Sequence, residues 1–259
     1  MPESQILFLP GPTPVPSRVL RAMAAPAINH RGPEFRELLY EVTEGVKEIF
    51  QTKNDLFILT TSGTGAMEAA VVNFLAPGDK AVVVSIGAFG ERFKDICRNY
   101  GVEVIPRDFP WGEAADARAV EEILAGDQNK EIKAILVQHN ETSTGVLNDI
   151  EAISRARGDH PALIIVDAIS GLAAADLKTD AWNLDVVLGG SQKAFMMPPG
   201  LAMISVSARA WEAYERCNNH RYYFDLGEAK KFLANGQTPF TPAVSLFYAL
   251  KEALLMMRE

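Results

Sequence analysis

The chain has 259 residues, 48% hydrophobic and 22% charged, enough for one large α/β domain or two smaller ones with a sizeable core. Its 33 acids against 25 bases leave a net charge of -8, which argues against nucleic acid or a membrane surface as partner, since both call for a basic face. Its two cysteines, Cys97 and Cys217, stand far apart without CxxC or Cys/His spacing, which argues against a disulfide framework or a zinc site and fits a reducing cytoplasm. The start, MPESQILFLPGPTPVP, has neither the basic nor the long apolar region of a signal peptide. The longest apolar run, Pro161 to Ala175, is broken by Asp167 and Gly171 and is too short to span a bilayer.

In chain order, PGPTPVP reads as a proline-rich, extended lead-in. Helical periodicity then covers Pro33–Phe50, Gly65–Phe74, Gly90–Tyr100, Ala115–Leu124, Asp149–Arg157 and Ser207–Cys217. Short β-branched runs stand between most of them: Leu56–Leu59, Ala81–Ser85, Val102–Ile105, Ile132–Val137, Ala162–Val166, Asp185–Leu188 and Leu201–Val206. The last stretch, TPAVSLFYALKEALLMMRE, reads as a helix. Continuous apolar strands alternating with amphipathic helices predict an α/β fold, a mostly parallel sheet with helices on both faces.

Ligands of such sheets bind beyond the carboxyl ends of the strands. Five strand ends carry candidate chemistry. TTSGTGAMEAA places glycines and hydroxyls between a strand and a helix, where free N–H groups bind phosphate. It is neither a Walker loop nor the dinucleotide fingerprint, because Glu68 stands where the third glycine belongs, and a plain N-cap at Ser62 or Thr64 explains it equally. Asp167 emerges from a buried strand, either as a core acid held by N–H groups or as the partner of a cationic ligand atom. Phe89, in IGAFGER, either packs in the core or stacks on a flat ring. Thr142, in QHNETSTG, either caps a turn or meets a ligand. Lys193, in GGSQKAFMMPPG, is either a surface turn lysine or a desolvated amine whose lowered pKa makes it a nucleophile.

Together the readings narrow. A phosphate cradle, an aromatic face, a buried acid and a desolvated lysine match one ligand, pyridoxal phosphate. Its aldehyde takes an amine, its ring nitrogen an acid, its phosphate a helix N-terminus and its ring a flat neighbour.

The chain here resembles the class V aminotransferases, enzymes of fold type I, nearest the alanine–glyoxylate and serine–pyruvate (serine–glyoxylate) group. The resemblance runs almost end to end, through PGPTPVP, NHRGPEF, SGTGAMEAA, PGDK, FGER, ETSTGV, VDAISG, GGSQKAF, PPG and TPFTPAVSLFYALKEAL. It implies a ping-pong transfer of an amino group from a small amino acid, alanine or serine, to an oxoacid, glyoxylate or pyruvate. It implies that Lys193 forms the Schiff base with the cofactor and shuttles the proton, and that Asp167 pairs with the ring nitrogen. Phe89 would stack on one ring face and Ile169 pack on the other. Ser62, Gly63, Thr64 and Gln192 would hold the phosphate, and Thr142 would bond near the ring hydroxyl. Gly11 would line the substrate pocket. Thr241 would reach the phosphate of a partner subunit in a homodimer with shared active sites.

The resemblance also implies an organisation: an extended arm over 1–20, a cofactor-binding large domain over 21–259, and a C-terminal small domain, absent here, that supplies an arginine for the substrate carboxylate. Arg18 and Arg31 read either as partners of an anion or, more simply, as surface or structural groups. Two alternatives stand beside the transaminase. One is a lyase, desulfurase or phosphonate-substrate aminotransferase, with the desulfurase disfavoured by Phe89 and by the helical positions of Cys97 and Cys217. The other is a truncated, catalytically incompetent cofactor-binding or interaction protein.

Overall fold

The computed structural model of the chain describes residues 7–259. Helices α1 (Ser17–Met23) and α2 (Pro33–Phe50) precede the first strand, β1 (Asp55–Leu59). Then follow α3 (Gly63–Phe74), β2 (Lys80–Ser85), α4 (Ala88–Asn99), β3 (Glu103–Asp108), α5 (Ala117–Gly126) and β4 (Ile132–Gln138). A small hairpin, β5 (Asn140–Glu141) and β6 (Val146–Leu147), leads to α6 (Ile150–Ala156) and β7 (Leu163–Asp167). The chain continues through β8 (Val186–Gly190), β9 (Ala202–Val206), α7 (Ala208–Arg216), α8 (Leu226–Leu233) and α9 (Val244–Arg258).

Seven strands form one sheet in the order β1-β9-β8-β7-β4-β2-β3. Neighbours from β8 to β3 run parallel, whereas β9 runs antiparallel to both β8 and β1. The reversal has a simple cause. The segment between Gly190 and Ala202 is too short to hold a helical crossover, so the strand after it returns in the opposite direction. Pro106 sits in β3, the edge strand, where its missing N–H costs no ladder bond.

Strand alternation divides the core in two. Ala134, Leu136, Leu163 and Ile165 face a layer built on α3, α4, α7 and α8. Ile135, Val137, Ile164 and Val166 face the other layer, on α1, α2, α5, α6 and α9. Two residues further along, Gln138 and Asp167 therefore both fall on the α3/α4 side, and the two are register partners.

All seven strands expected from the apolar runs are present. The extended lead-in, expected over 1–20, ends earlier: Pro16 adopts an extended conformation as N-cap and α1 begins at Ser17. Helices α1 and α8 and the β5–β6 hairpin add to the elements that the sequence periodicity predicts. Ser207 is the N-cap of α7, accepting from the Ala210 N–H, rather than its first residue. No helix among the described residues is long and apolar enough to cross a membrane, and those residues hold no cluster of three metal-ligating side chains.

Candidate active site

The β8–β9 connection is closed at its neck by Ser191. Its N–H donates to the Leu201 carbonyl at 2.9 Å, and its hydroxyl donates to the Pro198 carbonyl at 2.8 Å. Lys193 rides inside this loop and is only 9% exposed. Among the described residues its amine has no carboxylate within ion-pair distance; burial lowers its pKa, and the Asp167 charge opposes that only in part. The N-terminal lead-in lies against the loop. The Thr13 N–H donates to the Gln192 carbonyl at 3.1 Å, and the Thr13 hydroxyl to the Lys193 carbonyl at 3.0 Å. A Cβ at Gly11 would overlap the Lys193 side chain and fall 2.9 Å from the Gln192 carbonyl oxygen, so this close approach requires glycine.

Asp167 ends β7, 4% exposed. Its Oδ1 accepts the Ile169 N–H at 3.0 Å. Burial pushes its carboxyl up to about 6; the Ile169 N–H, Arg92 and Lys193 pull it down, and Glu141 pushes it up. The site thus pairs an amine biased toward neutrality with an acid that has too few donors.

The N-terminus of α3 opens toward the same place. Ser62 is its N-cap in extended conformation, but its side chain does not cap the helix. Among the described residues the Gly63 and Thr64 N–H groups have no partner, which leaves an anion-binding helix end open. Ile169 is wedged between α3 and the end of β8. A Cβ at Gly63 would lie 2.7 Å from its Cδ1, and one at Gly190 would lie 3.0 Å from its Cγ2. The Gln192 Oε1 is buried near Gly190 without a hydrogen-bond partner among the described residues.

Phe89 lies half-buried in the first turn of α4, with the Arg92 guanidinium 4.6 Å from its ring centroid. Arg92 also donates to the Thr64 hydroxyl at 3.0 Å. The fully buried Glu141 fixes this turn: its Oε2 accepts the Phe89 N–H at 3.0 Å and the Gly90 N–H at 3.2 Å. Its Oε1 accepts the Ser143 N–H and hydroxyl at 3.0 and 2.7 Å. Thr142 donates to the Ser170 hydroxyl at 2.7 Å, and Ser170 in turn donates to the Asn140 carbonyl. The β5–β6 hairpin is thereby tied to the segment just after Asp167.

The structure brings Lys193, Asp167, Ser62, Gly63, Thr64, Phe89, Ile169, Gln192, Thr142 and Gly11 to one end of the sheet. It does not join Thr241 to them: that residue is exposed and makes no side-chain hydrogen bond among the described residues. Arg18 is engaged by Glu252 and Glu259, and Arg31 by the carbonyls of Thr238 and Pro239, as surface groups. Thr13, Arg92, Glu141 and Ser170 belong to the site without having been singled out in the sequence. Glu141 carried a readable signal, an acid three residues beyond a buried strand. A cavity of about 790 Å³ lies at the opposite end of the strands, near Asp79, Ile132 and Leu163; mixed acids and bases line it, and none of the site residues do.

The family model described as aminotransferase class-V matches residues 6–259. The chain is 48% identical to a protein of Synechococcus sp. named soluble hydrogenase, small subunit, covering all of this chain and 67% of the relative. It is 40% identical to the L-aspartate–glyoxylate aminotransferase of Paracoccus denitrificans, covering 96% of this chain and 64% of the relative. Its fold superposes on the crystal structure of an alanine–glyoxylate aminotransferase from Nostoc sp. with a TM-score of 0.93 at 29% identity, over 99% of this chain and 68% of that one. The chain thus spans about two thirds of the length of these relatives.

Proposed function

Since the chain belongs to the class-V aminotransferases, a family that works with pyridoxal phosphate, we propose that its site moves an amino group from a small amino acid to glyoxylate or a similar oxoacid in two half-reactions. The observation that carries the reading is the convergence on one sheet end of a desolvated amine at Lys193, a donor-poor buried acid at Asp167 and an uncapped helix at Gly63.

The residues fit the cofactor in its chemistry. The free N–H groups of Gly63 and Thr64, with the Ser62 hydroxyl beside them, offer donors to a phosphate, and the Gln192 amide, whose oxygen has no partner among the described residues, would turn its N–H toward it. The glycines at 63 and 190 let the Ile169 side chain pack against α3 and the end of β8, where a Cβ would collide with it. Phe89 and Ile169 offer flat and aliphatic faces to a ring, and Thr142 a hydroxyl near its edge. When bound, pyridoxal phosphate supplies an electron sink and a carbonyl that exchanges amino groups.

The protein's own groups do the rest. Burial favours neutral Lys193, which is the nucleophilic and basic form, so this amine can both attach covalently and carry a proton to and from the substrate Cα. Asp167, buried and short of donors, would find its missing partner in a protonated ring nitrogen. Gly11 and Thr13 hold the lead-in against the lysine loop and wall the substrate side.

The two relatives named for their reactions share glyoxylate and differ in the donor, aspartate in one and alanine in the other. The reading here takes alanine or serine as donor. A homodimer in which Thr241 reaches the partner's phosphate is supported by the exposed aromatic surface around it, where Tyr222 is 81% exposed. A cytoplasmic setting is supported by two free, buried cysteines. Desulfurase chemistry at either cysteine is disfavoured: burial pushes the Cys97 thiol up to about 12 and raises that of Cys217, so neither is a reactive thiolate.

The test is spectroscopic. Protein reconstituted with pyridoxal phosphate is titrated with alanine, serine and aspartate. The reading expects one donor to bleach the yellow band and glyoxylate to restore it. A band that no amino acid shifts would leave a cofactor-binding protein without transaminase activity.

A further inference from the structure

Gln138 closes β4 and is fully buried, yet neither its amide nitrogen nor its amide oxygen has a hydrogen-bond partner among the described residues. A buried amide without partners is unfavourable and calls for an explanation. Its neighbour across the ladder is Asp167, whose buried carboxylate is itself short of donors. Both side chains leave the same face of the sheet, following Ala134 and Leu136 on one strand and Leu163 and Ile165 on the other. One group lacks acceptors and donors, the other lacks donors, and they stand side by side on adjacent parallel strands. Two nearby polar groups are committed elsewhere: Ser85 donates to Glu91, and Glu141 accepts from Phe89, Gly90 and Ser143.

We propose that Gln138 is a positioning residue for Asp167: its amide N–H turns onto the carboxylate when a ring nitrogen takes the other oxygen, and so holds that carboxylate ionised and aimed. The inference rests on the cofactor reading above. Arg92 of α4, Lys193 of the β8–β9 loop and Glu141 of β5 are the charged groups that act on Asp167, the Ile169 N–H already bonds its Oδ1, and Gln138, its register partner, offers a second neutral donor from the adjacent strand. In this arrangement the apo protein tolerates an unsatisfied amide because the loaded protein uses it.

The experiment uses the whole chain with Gln138→Leu and Gln138→Met, both close to glutamine in size. Three quantities are read: melting temperature of the apo protein, dissociation constant for pyridoxal phosphate, and the pH titration of the bound cofactor's absorption band. The expected result is an apo melting temperature equal to or above wild type and cofactor binding weakened about tenfold, the scale of one hydrogen bond to a charged group. The band's titration should also move relative to wild type. Unchanged cofactor binding and titration in either folded variant overturns the proposal. Failure of both variants to fold also overturns it, because Gln138 would then be structural. Failure of the wild-type protein to bind the cofactor is a different outcome, since it removes the cofactor reading itself.

Discussion

The Thr13 hydroxyl donates to the Lys193 carbonyl oxygen at 3.0 Å, joining residues 180 positions apart. This bond and the neighbouring one from the Thr13 N–H to Gln192 press the lead-in onto the lysine loop. Gly11 completes the contact, since its Cβ position is already filled by Lys193. Gly11→Ala should therefore displace Lys193 and cut turnover by a hundredfold or more, roughly the effect of a misplaced reacting group. Circular dichroism should show the fold retained. Thr13→Val is milder, costing about 1 kcal/mol for one lost hydrogen bond. Steady-state rates for the pair check both; wild-type turnover in Gly11→Ala would contradict the assignment.

Asp167 sets a pH dependence of the apo protein. Its carboxyl lies at about 6 in the folded chain against an ordinary value of 3.8, so folding favours the protonated acid. The resulting penalty is absent below about pH 4, grows as pH rises, and is complete above about pH 6. At full size it is on the order of 2–3 kcal/mol. Asp167→Asn should thus raise the apo melting temperature at pH 7.5, with the gain vanishing near pH 4, while cofactor binding and turnover fall. Calorimetry at the two pH values checks the sign, and a loss of apo stability at pH 7.5 would contradict it.

Lys193 offers the matching experiment from the basic side. Burial disfavours its ammonium, so Lys193→Met removes an unfavourable group from the apo protein at neutral pH. Turnover should disappear while apo stability holds or rises. A variant that loses both would mark the lysine as structural.

Glu141 holds the turn that presents Phe89 by accepting two N–H groups of α4 and two donors from Ser143. Glu141→Ala should destabilise the fold by roughly 3 kcal/mol, the scale of several charge-assisted bonds left open. Cofactor affinity should fall with it, because Phe89 loses its mooring. Denaturant melts of the apo protein separate the two effects.

The sequence made the sheet legible because its strands are buried on both faces and read as continuous apolar runs, as in β7 and β8. The antiparallel return of β9 was also implicit, in the short Gly190–Ala202 interval, but strand composition alone does not encode direction. Helix α1 is hard to read in the sequence because it is seven residues long with one buried side chain, Val19, and follows four closely spaced prolines. The β5–β6 strands have two residues each, below any usable period. At the site, Asp167 and Lys193 announced themselves as ionisable groups in apolar surroundings. Thr13 and Arg92 did not, because a proline-flanked threonine and an exposed helical arginine look ordinary until the chain folds them against Lys193 and Thr64. Gln138 carries no signal in the sequence, because a polar residue ending a strand usually meets solvent, whereas here it is fully buried.

The central claim is that Lys193 is the amine that takes the cofactor. Protein reconstituted with pyridoxal phosphate and reduced with borohydride, then digested and mapped by mass spectrometry, tests it directly. The account predicts a yellow protein and the reduced cofactor's mass on the peptide containing Lys193, absent in Lys193→Met. A colourless protein, or the added mass on a different lysine, would contradict it.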